Sequence, residues 1–245
     1  MNPTIEQLKA HRSIRKFTSR AVDQATVEML IEAGQAAPTS SFIQACTVIQ
    51  VARGERRNAL AEMAGNQAYV AEAPVFLVFC ADMKRHQLAC SMHNAEMQSG
   101  FTEQFLTASL DCAIFAQNVT VAAESLGLGG VYIGALRNQI AEVAQLLELP
   151  ELVYPVFGIC LGWPDQNPEV KPRLPLPVVL KQERYDDSRD ETLIREYDKT
   201  VREYYRTRTG GKKEMGWSEQ IAGMLVKEAR PHMLSFLQAR GFIKR

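Results

Sequence analysis

The chain has no charge of one sign to spare. Lys plus Arg number 28 and Asp plus Glu number 28. It therefore lacks the net field that non-specific binding to nucleic acid or to an anionic membrane surface would use, and any basic patch must be local. The opening MNPTIEQLKAHRSIRKF is charged within a few residues and has neither the apolar core nor the small-residue cleavage site of a secretory signal, so a cytoplasmic location is expected. Apolar runs such as Ala73 to Ala81 and Ser109 to Ala123 are too short, or too interrupted by polar residues, to suggest a bilayer span. Cys46, Cys80, Cys90, Cys112 and Cys160 are odd in number and widely spaced, and three of them sit in apolar runs. Buried free thiols in a reducing compartment are expected rather than a disulfide framework.

The familiar catalytic signatures are missing too: no P-loop, no HExxH, no CxxC and no GxSxG. His11, His86, His93 and His232 are scattered without metal-ligand spacing, so no metal is expected. No internal repeat, heptad run or low-complexity tract is visible. A chain with no evident nucleophile or acid–base constellation borrows its chemistry from a cofactor or has none.

What is present is a length of 245 residues with 46% apolar composition, enough for one large domain or a domain with a tail. Thr4 with Gln7 has capping-box spacing for a short helix that ends at His11, with Ile5 and Leu8 on one face. Asp23 caps a second helix with Val27, Leu30 and Ile31 inward, closed before Pro38 and the polar loop Thr39–Ser41. Thr47–Val51 and Val75–Cys80 read as buried strands around a helix near Arg56–Ala64. Glu96–Leu126 reads as one long apolar helix, suited to a core or a subunit interface. Glycines 127, 129 and 130 end it, a strand runs from Val131 to Ile133, and a helix over Asn138–Leu147 precedes a strand over Val153–Leu161. This order predicts an α+β fold around a central sheet. Beyond Trp163, five prolines punctuate an extended arm. Two charged helices are predicted after it, Glu191–Thr207 and Ser218–Arg240. The arm and helices suit either wrapping around a partner subunit or a folded-back cap.

The densest candidate for chemistry is HRSIRKF, where Arg12 and Arg15 can face one point with Ser13 between them; guanidinium forks and a hydroxyl suit a phosphate. Such a basic cluster is also compatible with a solvated helix end. Lys171 and Arg173, in KPRLP, form a second cationic pair on a Pro-stiffened segment, which also reads as a surface loop. GLGGVYIG at 127–134 could bring backbone close to a flat ring, or be a plain helix-to-strand turn.

Taken in order, HRSIRKF, the PTSSF loop at Pro38–Phe42, ESLGLGGVYIGALR at Glu124–Arg137, FGICLGWP at Phe157–Pro164 and KPRLP at Lys171–Pro175 resemble the nitroreductase family, in its NADPH-preferring branch. The resemblance covers essentially the whole chain, including YYRTR at Tyr204–Arg208 and KEARP at Lys227–Pro231. It implies an α+β sandwich around a mixed β-sheet flanked by helices, with an FMN-binding core over 1–180 and a C-terminal helical extension over 181–245. It further implies an intertwined homodimer with FMN at the interface. By the same resemblance His11, Arg12, Ser13 and Arg15 hold the FMN phosphate and pyrimidine edge, and Lys171 and Arg173 complete the cationic side. Tyr132, Ile133 and Gly134 pass close to the ring, Gln67 lies beside it, and Thr39 and Ser40 reach it from the other subunit. Arg208, Lys212 and Lys213 would meet the 2′-phosphate of NADPH, while Ser41, Phe42 and Arg230 would line the acceptor pocket. Ala135 stands where relatives often carry a second glycine, and Thr39 stands in place of a serine.

The activity so implied is two-electron hydride transfer from NADPH through FMN to nitroaromatics and quinones in a ping-pong cycle, with no protein nucleophile. A flavin reductase supplying reduced FMN is the neighbouring alternative. A flavin-binding protein without catalysis is the more distant one.

Overall fold

A computed structural model describes residues 2–245, which fall into two compact units: one runs to Pro168 and takes in Arg230–Arg245, and the other is Glu169–Ala229. The 180/181 division expected from sequence lies inside the second unit. In the first unit the elements are α1 (Pro3–Lys9), α2 (Gln24–Gln35), β1 (Cys46–Gln50), α3 (Glu55–Met63), α4 (Ala68–Glu72) and β2 (Val75–Asp82). They continue with α5 (Lys84–Met92), α6 (Thr102–Ser125), β3 (Gly129–Ile133), α7 (Ile140–Leu146) and β4 (Val153–Gly162). The second unit holds α8 (Leu176–Val179), α9 (Asp190–Thr209) and α10 (Trp217–Leu225), and α11 (Met233–Ala239) rejoins the first.

The strands are ordered β1-β2-β4-β3, and every pairing is antiparallel. This corrects the mixed sheet expected from sequence. The long α6 crossover returns β3 in the direction of β2, which by itself would pair them in parallel. Instead β4 inserts between them and runs against both.

Side chains alternate along β2, which is buried on both faces. Phe76, Val78 and Cys80 pack with Leu60 of α3, Val70 of α4 and Val143 of α7. Val75, Leu77 and Phe79 pack with Val27 and Leu30 of α2 and Ala116, Val119 and Ala123 of α6. Each such large side chain contributes about 1.5–3 kcal/mol on burial.

Several local expectations change. Asn2, not Thr4, caps α1: its side chain accepts from the Thr4 amide at 2.9 Å. Ile5 and Leu8 are half-exposed and pack into no core. Asp23 caps α2 as expected, accepting from the Thr26 amide at 2.7 Å. The long helix begins at Thr102 rather than near Glu96. Among the described residues α6 is the one helix long and apolar enough to cross a membrane, yet Ala108, Cys112, Ala116, Val119 and Ala123 are buried in the protein's own core. The helix expected over Ser218–Arg240 is two helices, because Arg230 has φ +59° and Pro231 follows it. The tail then closes on the first unit: Phe242 meets Tyr154 edge to face at 4.8 Å, and the Arg240 carbonyl accepts from the Leu152 amide at 2.9 Å. All five cysteines are free; Cys80, Cys112 and Cys160 are buried, while Cys46 and Cys90 are only partly so.

Candidate functional site

The HRSIRKF segment leaves α1 as an extended strand-like run pinned beside the sheet. The Ile14 amide donates to the Gly130 carbonyl at 2.9 Å, Thr18 to Trp163 at 2.9 Å, and the Asp165 amide returns a bond to Lys16. Buried Ile14 explains one glycine of GLGGVYIG, since a Cβ on Gly129 would lie 2.5 Å from the Ile14 side chain. That glycine makes room for the protein's own chain.

Pinned this way, Arg12 and Ile14 line a cleft of about 230 Å³ whose walls also include Gln7, Glu124, Gly129, Pro164 and Asn167, while Ser13 and Arg15 lie outside its lining. His11 Nδ1 lies 2.6 Å from a Glu124 carboxylate oxygen. Arg12 donates to the Asn167 side-chain oxygen at 2.7 Å and to the Pro168 carbonyl at 3.2 Å. Both acceptors are neutral, so the guanidinium charge is held in place without being cancelled. Arg15 is exposed and, among the described residues, makes no hydrogen bond or ion pair.

Tyr132 of β3 takes a bond from Thr120 at 3.3 Å, and its ring meets Phe157 at 5.1 Å. Burial pushes its phenol up, Thr120 opposes that, and the negative charge of Glu124 adds to it. Ile133 is buried and Gly134 opens the 3-10 turn that leads to α7. At this end of β3, Arg137 donates to the Val156 carbonyl at 2.6 Å and lies against Gly134. Arg230 donates to Asn138 at 2.9 Å, and a Cβ on Gly65 would lie 3.9 Å from the same Asn138. Gln67, two residues further on, occupies the N-cap position of α4 without a side-chain capping bond. Burial lowers the Arg137 guanidinium, and the charge of Arg230 adds to that. From Gly130 to Gly134 the strand covers about 13 Å, with cations near both ends.

Thr39, Ser40, Ser41 and Phe42 are not brought to this cleft. Their loop is held by Asp111, 3% exposed, which accepts from the Ser40 and Ala45 amides at 3.3 and 2.9 Å. Ser41, Phe42 and Gln44 all have positive φ, and Phe42 is 80% exposed at the tip. Asp111 and Glu124 sit on one helix thirteen positions apart, so the two clusters are separated by about 20 Å along α6.

In the second unit, Lys171, Arg208 and Lys213 gather on a tyrosine cluster. Tyr197 donates to the Pro172 carbonyl at 2.8 Å, fixing the extended KPR segment, and burial raises its phenol against the charge of Arg173. Arg208 donates to the Tyr204 hydroxyl at 2.9 Å. The Lys213 ammonium is 4.0 Å from the Tyr205 ring centroid and that of Lys171 is 5.3 Å away. Lys212 is exposed. Among the described residues, none of Arg12, Arg15, Lys171, Arg173, Arg208, Lys212 or Lys213 forms an ion pair with a carboxylate. No group of three side chains suited to a metal occurs among them either.

Sequence reading missed the supports: Glu124 behind His11, Asn167 behind Arg12, Asp111 behind the 39–45 loop, and the tyrosines behind the basic tail. The carboxylates carried a signal, because Asp111 and Glu124 stand in a mostly apolar helix and Glu124 sits at its unfavourable C-terminal end.

In the first unit, Arg12 and Arg15 flank a segment bonded to the edge strand β3 and, among the described residues, have no carboxylate partner, an arrangement suited to an anionic group. The chain belongs to the nitroreductase family: the family model matches residues 8–163, and the model of the family's C-terminal domain matches residues 171–245. It is 49% identical, over the full length of both chains, to the NADPH-flavin oxidoreductase of Vibrio harveyi. It is 45% identical, again over both full lengths, to the oxygen-insensitive NADPH nitroreductase of Salmonella typhimurium. Among solved structures, the Vibrio harveyi NADPH:FMN oxidoreductase complexed with NAD+ superposes with a TM-score of 0.92 at 47% identity, covering all of both chains.

Proposed function

We propose that this chain is an FMN-dependent NADPH oxidoreductase, a cytoplasmic homodimer that reduces nitroaromatic and quinone-like acceptors in a ping-pong cycle. The observation that carries the reading is the set of cations that have no carboxylate partner among the described residues, since FMN brings a phosphate with nearly two negative charges and NADPH brings a further one. When bound, FMN supplies the two-electron chemistry, accepting a pair from NADPH and passing it to the acceptor.

The chain's own residues bind and orient. Arg12, Ser13 and Arg15 hold the phosphate, and Glu124 keeps the His11 imidazole oriented at the cofactor's pyrimidine edge. Tyr132, Ile133 and Gly134 present the strand along which the ring lies, with Gln67 beside it. Lys171 and Arg173 carry over from the family as further cofactor cations. Ser41, Phe42 and Arg230 shape the acceptor pocket. The experiment that tests this reading is an initial-velocity study of NADPH against a nitrofuran. Parallel reciprocal lines support the shared-site cycle, and lines that intersect count against it.

Two features support the dimer. Thr39 and Ser40 lie about 20 Å along α6 from the Arg12 cleft in their own chain, so contact with a flavin there requires a second copy. Leu106, Leu110 and Ile114 are exposed at four-residue spacing on the same helix, a stripe that no described residue of this chain buries. Leu110→Asp would place an unpaired carboxylate in that interface at a cost of several kcal/mol. Sedimentation equilibrium should show the variant shifted to monomer with its flavin lost, and an unchanged dimer would count against the stripe as the interface.

Selectivity for NADPH rests on Arg208, with Lys212 and Lys213. Losing one charged contact to a phosphate costs about 1.5–3 kcal/mol, so Arg208→Ala should raise KM for NADPH by about tenfold or more. KM for NADH should stay within about twofold. Equal effects on both coenzymes would remove the basis for the assignment.

Flavin reduction is the second reading, favoured by the 49% identity to a relative named for it. Comparing NADPH oxidation with free FMN, a nitrofuran and a quinone separates the two, and a large preference for free FMN selects the reductase.

A further inference from the structure

The charge-holding arrangement within Glu169–Ala229 contains a residue with no role assigned so far. Tyr204 and Tyr205 are consecutive on α9, so their side chains leave the helix about 100° apart. Each meets different cations. Tyr204 takes Arg208 on its hydroxyl, whereas Tyr205 takes two lysines at once. Lys213 approaches the Tyr205 ring at 4.0 Å, and the Lys171 ammonium lies 5.3 Å from the same centroid. Tyr205 is only 8% exposed, and Gln220 of α10 steadies Lys213 through a 3.0 Å bond from the ammonium.

The lysines come from different segments, the Pro-stiffened arm and the linker after α9. Left to themselves, two long cationic side chains repel and lose rotamer freedom when brought together. A phenol resolves this because its face attracts the ammoniums gathered on it and its oxygen adds an acceptor for a cation beside the ring. Phenylalanine offers the face alone. Burial works against ionisation of Tyr205, but the neighbouring Lys171 and Lys213 outweigh it and hold the group below the usual tyrosine range. The cations beside the phenol therefore favour negative charge on its oxygen.

We infer that Tyr205 is a positioning residue that locks Lys171 and Lys213 into a fixed pair, so that one phenol aligns the cation proposed for FMN with the cation proposed for NADPH. This inference rests on the ligand assignments under Proposed function and adds a link between them. Neither lysine depends on the link for its charge, only for its place.

The test compares Tyr205→Phe and Tyr204→Phe with the wild-type holoenzyme. Flavin release on dilution is followed by fluorescence, and KM for NADPH and kcat are measured with a nitrofuran. Tyr205→Phe should raise KM for NADPH about fivefold, speed flavin release by a similar factor, and leave kcat at saturating NADPH within about twofold. Tyr204→Phe, which keeps the ring packed on Tyr205 and removes only the hydroxyl that accepts from Arg208, should raise KM without affecting flavin release. An effect of Tyr205→Phe on one ligand only, or on neither, overturns the inference. If Tyr205→Phe is too unstable to assay, Lys171→Met, Lys213→Met and the double variant replace it. Effects on KM that multiply independently overturn the lock, and strong non-additivity supports it. A wild-type protein that neither retains FMN nor oxidises NADPH would instead sink the functional reading itself.

Discussion

Protein carrying Arg12→Gln and Arg15→Gln together should emerge from purification colourless, with FMN affinity weakened by two to four orders of magnitude. Each lost charged contact to a phosphate is worth about 1.5–3 kcal/mol, and two such contacts give that range of affinity. The reason to expect so large an effect lies in the partners. Arg12 is held by Asn167 and Pro168, both neutral, and Arg15 has no partner among the described residues. Neither guanidinium is therefore engaged by a carboxylate that an incoming phosphate would have to displace. For the same reason the fold should tolerate the change. Exposed Arg15 contributes within about 0.5 kcal/mol to stability, so thermal midpoints of the apo forms should nearly coincide. Flavin titration of the apo variant checks the expectation, and a dissociation constant within threefold of wild type would mean that the phosphate sits elsewhere.

The largest effect on stability is expected at Arg57. This guanidinium is 1% exposed, and it donates to the Val70 carbonyl at 2.7 Å and to the Ala73 carbonyl at 2.5 Å. It lies 5.6 Å from the Phe76 ring centroid. Burial pushes it down to about 10, still protonated at neutral pH. Its bonds tie α3 to the end of α4, the helix that follows Gln67, and to the turn into β2. Arg57→Leu removes both donors and leaves two inward carbonyls short of a bond, at a cost of about 2–4 kcal/mol. For a chain of this size that lowers the thermal midpoint by about 5–15 °C. Arg57→Lys should recover only part of the loss, because one ammonium cannot reproduce the geometry of a planar fork. A midpoint unchanged by Arg57→Leu would show that water or backbone rearrangement satisfies those carbonyls.

The sequence made local features legible wherever one element sufficed to define them. Asp23 announced α2, and the unbroken run from Val75 to Cys80 announced a strand buried on both faces. The order of strands was not legible, because the insertion of β4 between β2 and β3 depends on pairing between segments far apart in the chain. The break near Arg230 was readable from Pro231, but apolar periodicity on either side obscured it. At the site, the cations were visible as residue types and spacing, while their supports were not. That Lys171 and Lys213 share Tyr205, or that Glu124 faces His11, follows only from folding. The short α4 and α5 were missed because their few turns carry weak amphipathic patterns.

The central claim is that fixed cations in this chain hold an FMN that passes electron pairs from NADPH to a planar acceptor. Anaerobic titration of the purified protein tests it most directly. NADPH, added in proportion to bound flavin, should bleach the visible flavin band completely, and a stoichiometric amount of a nitrofuran or quinone should restore it. Protein that cannot be loaded with FMN, or a flavin band that excess NADPH leaves unchanged, would contradict the account.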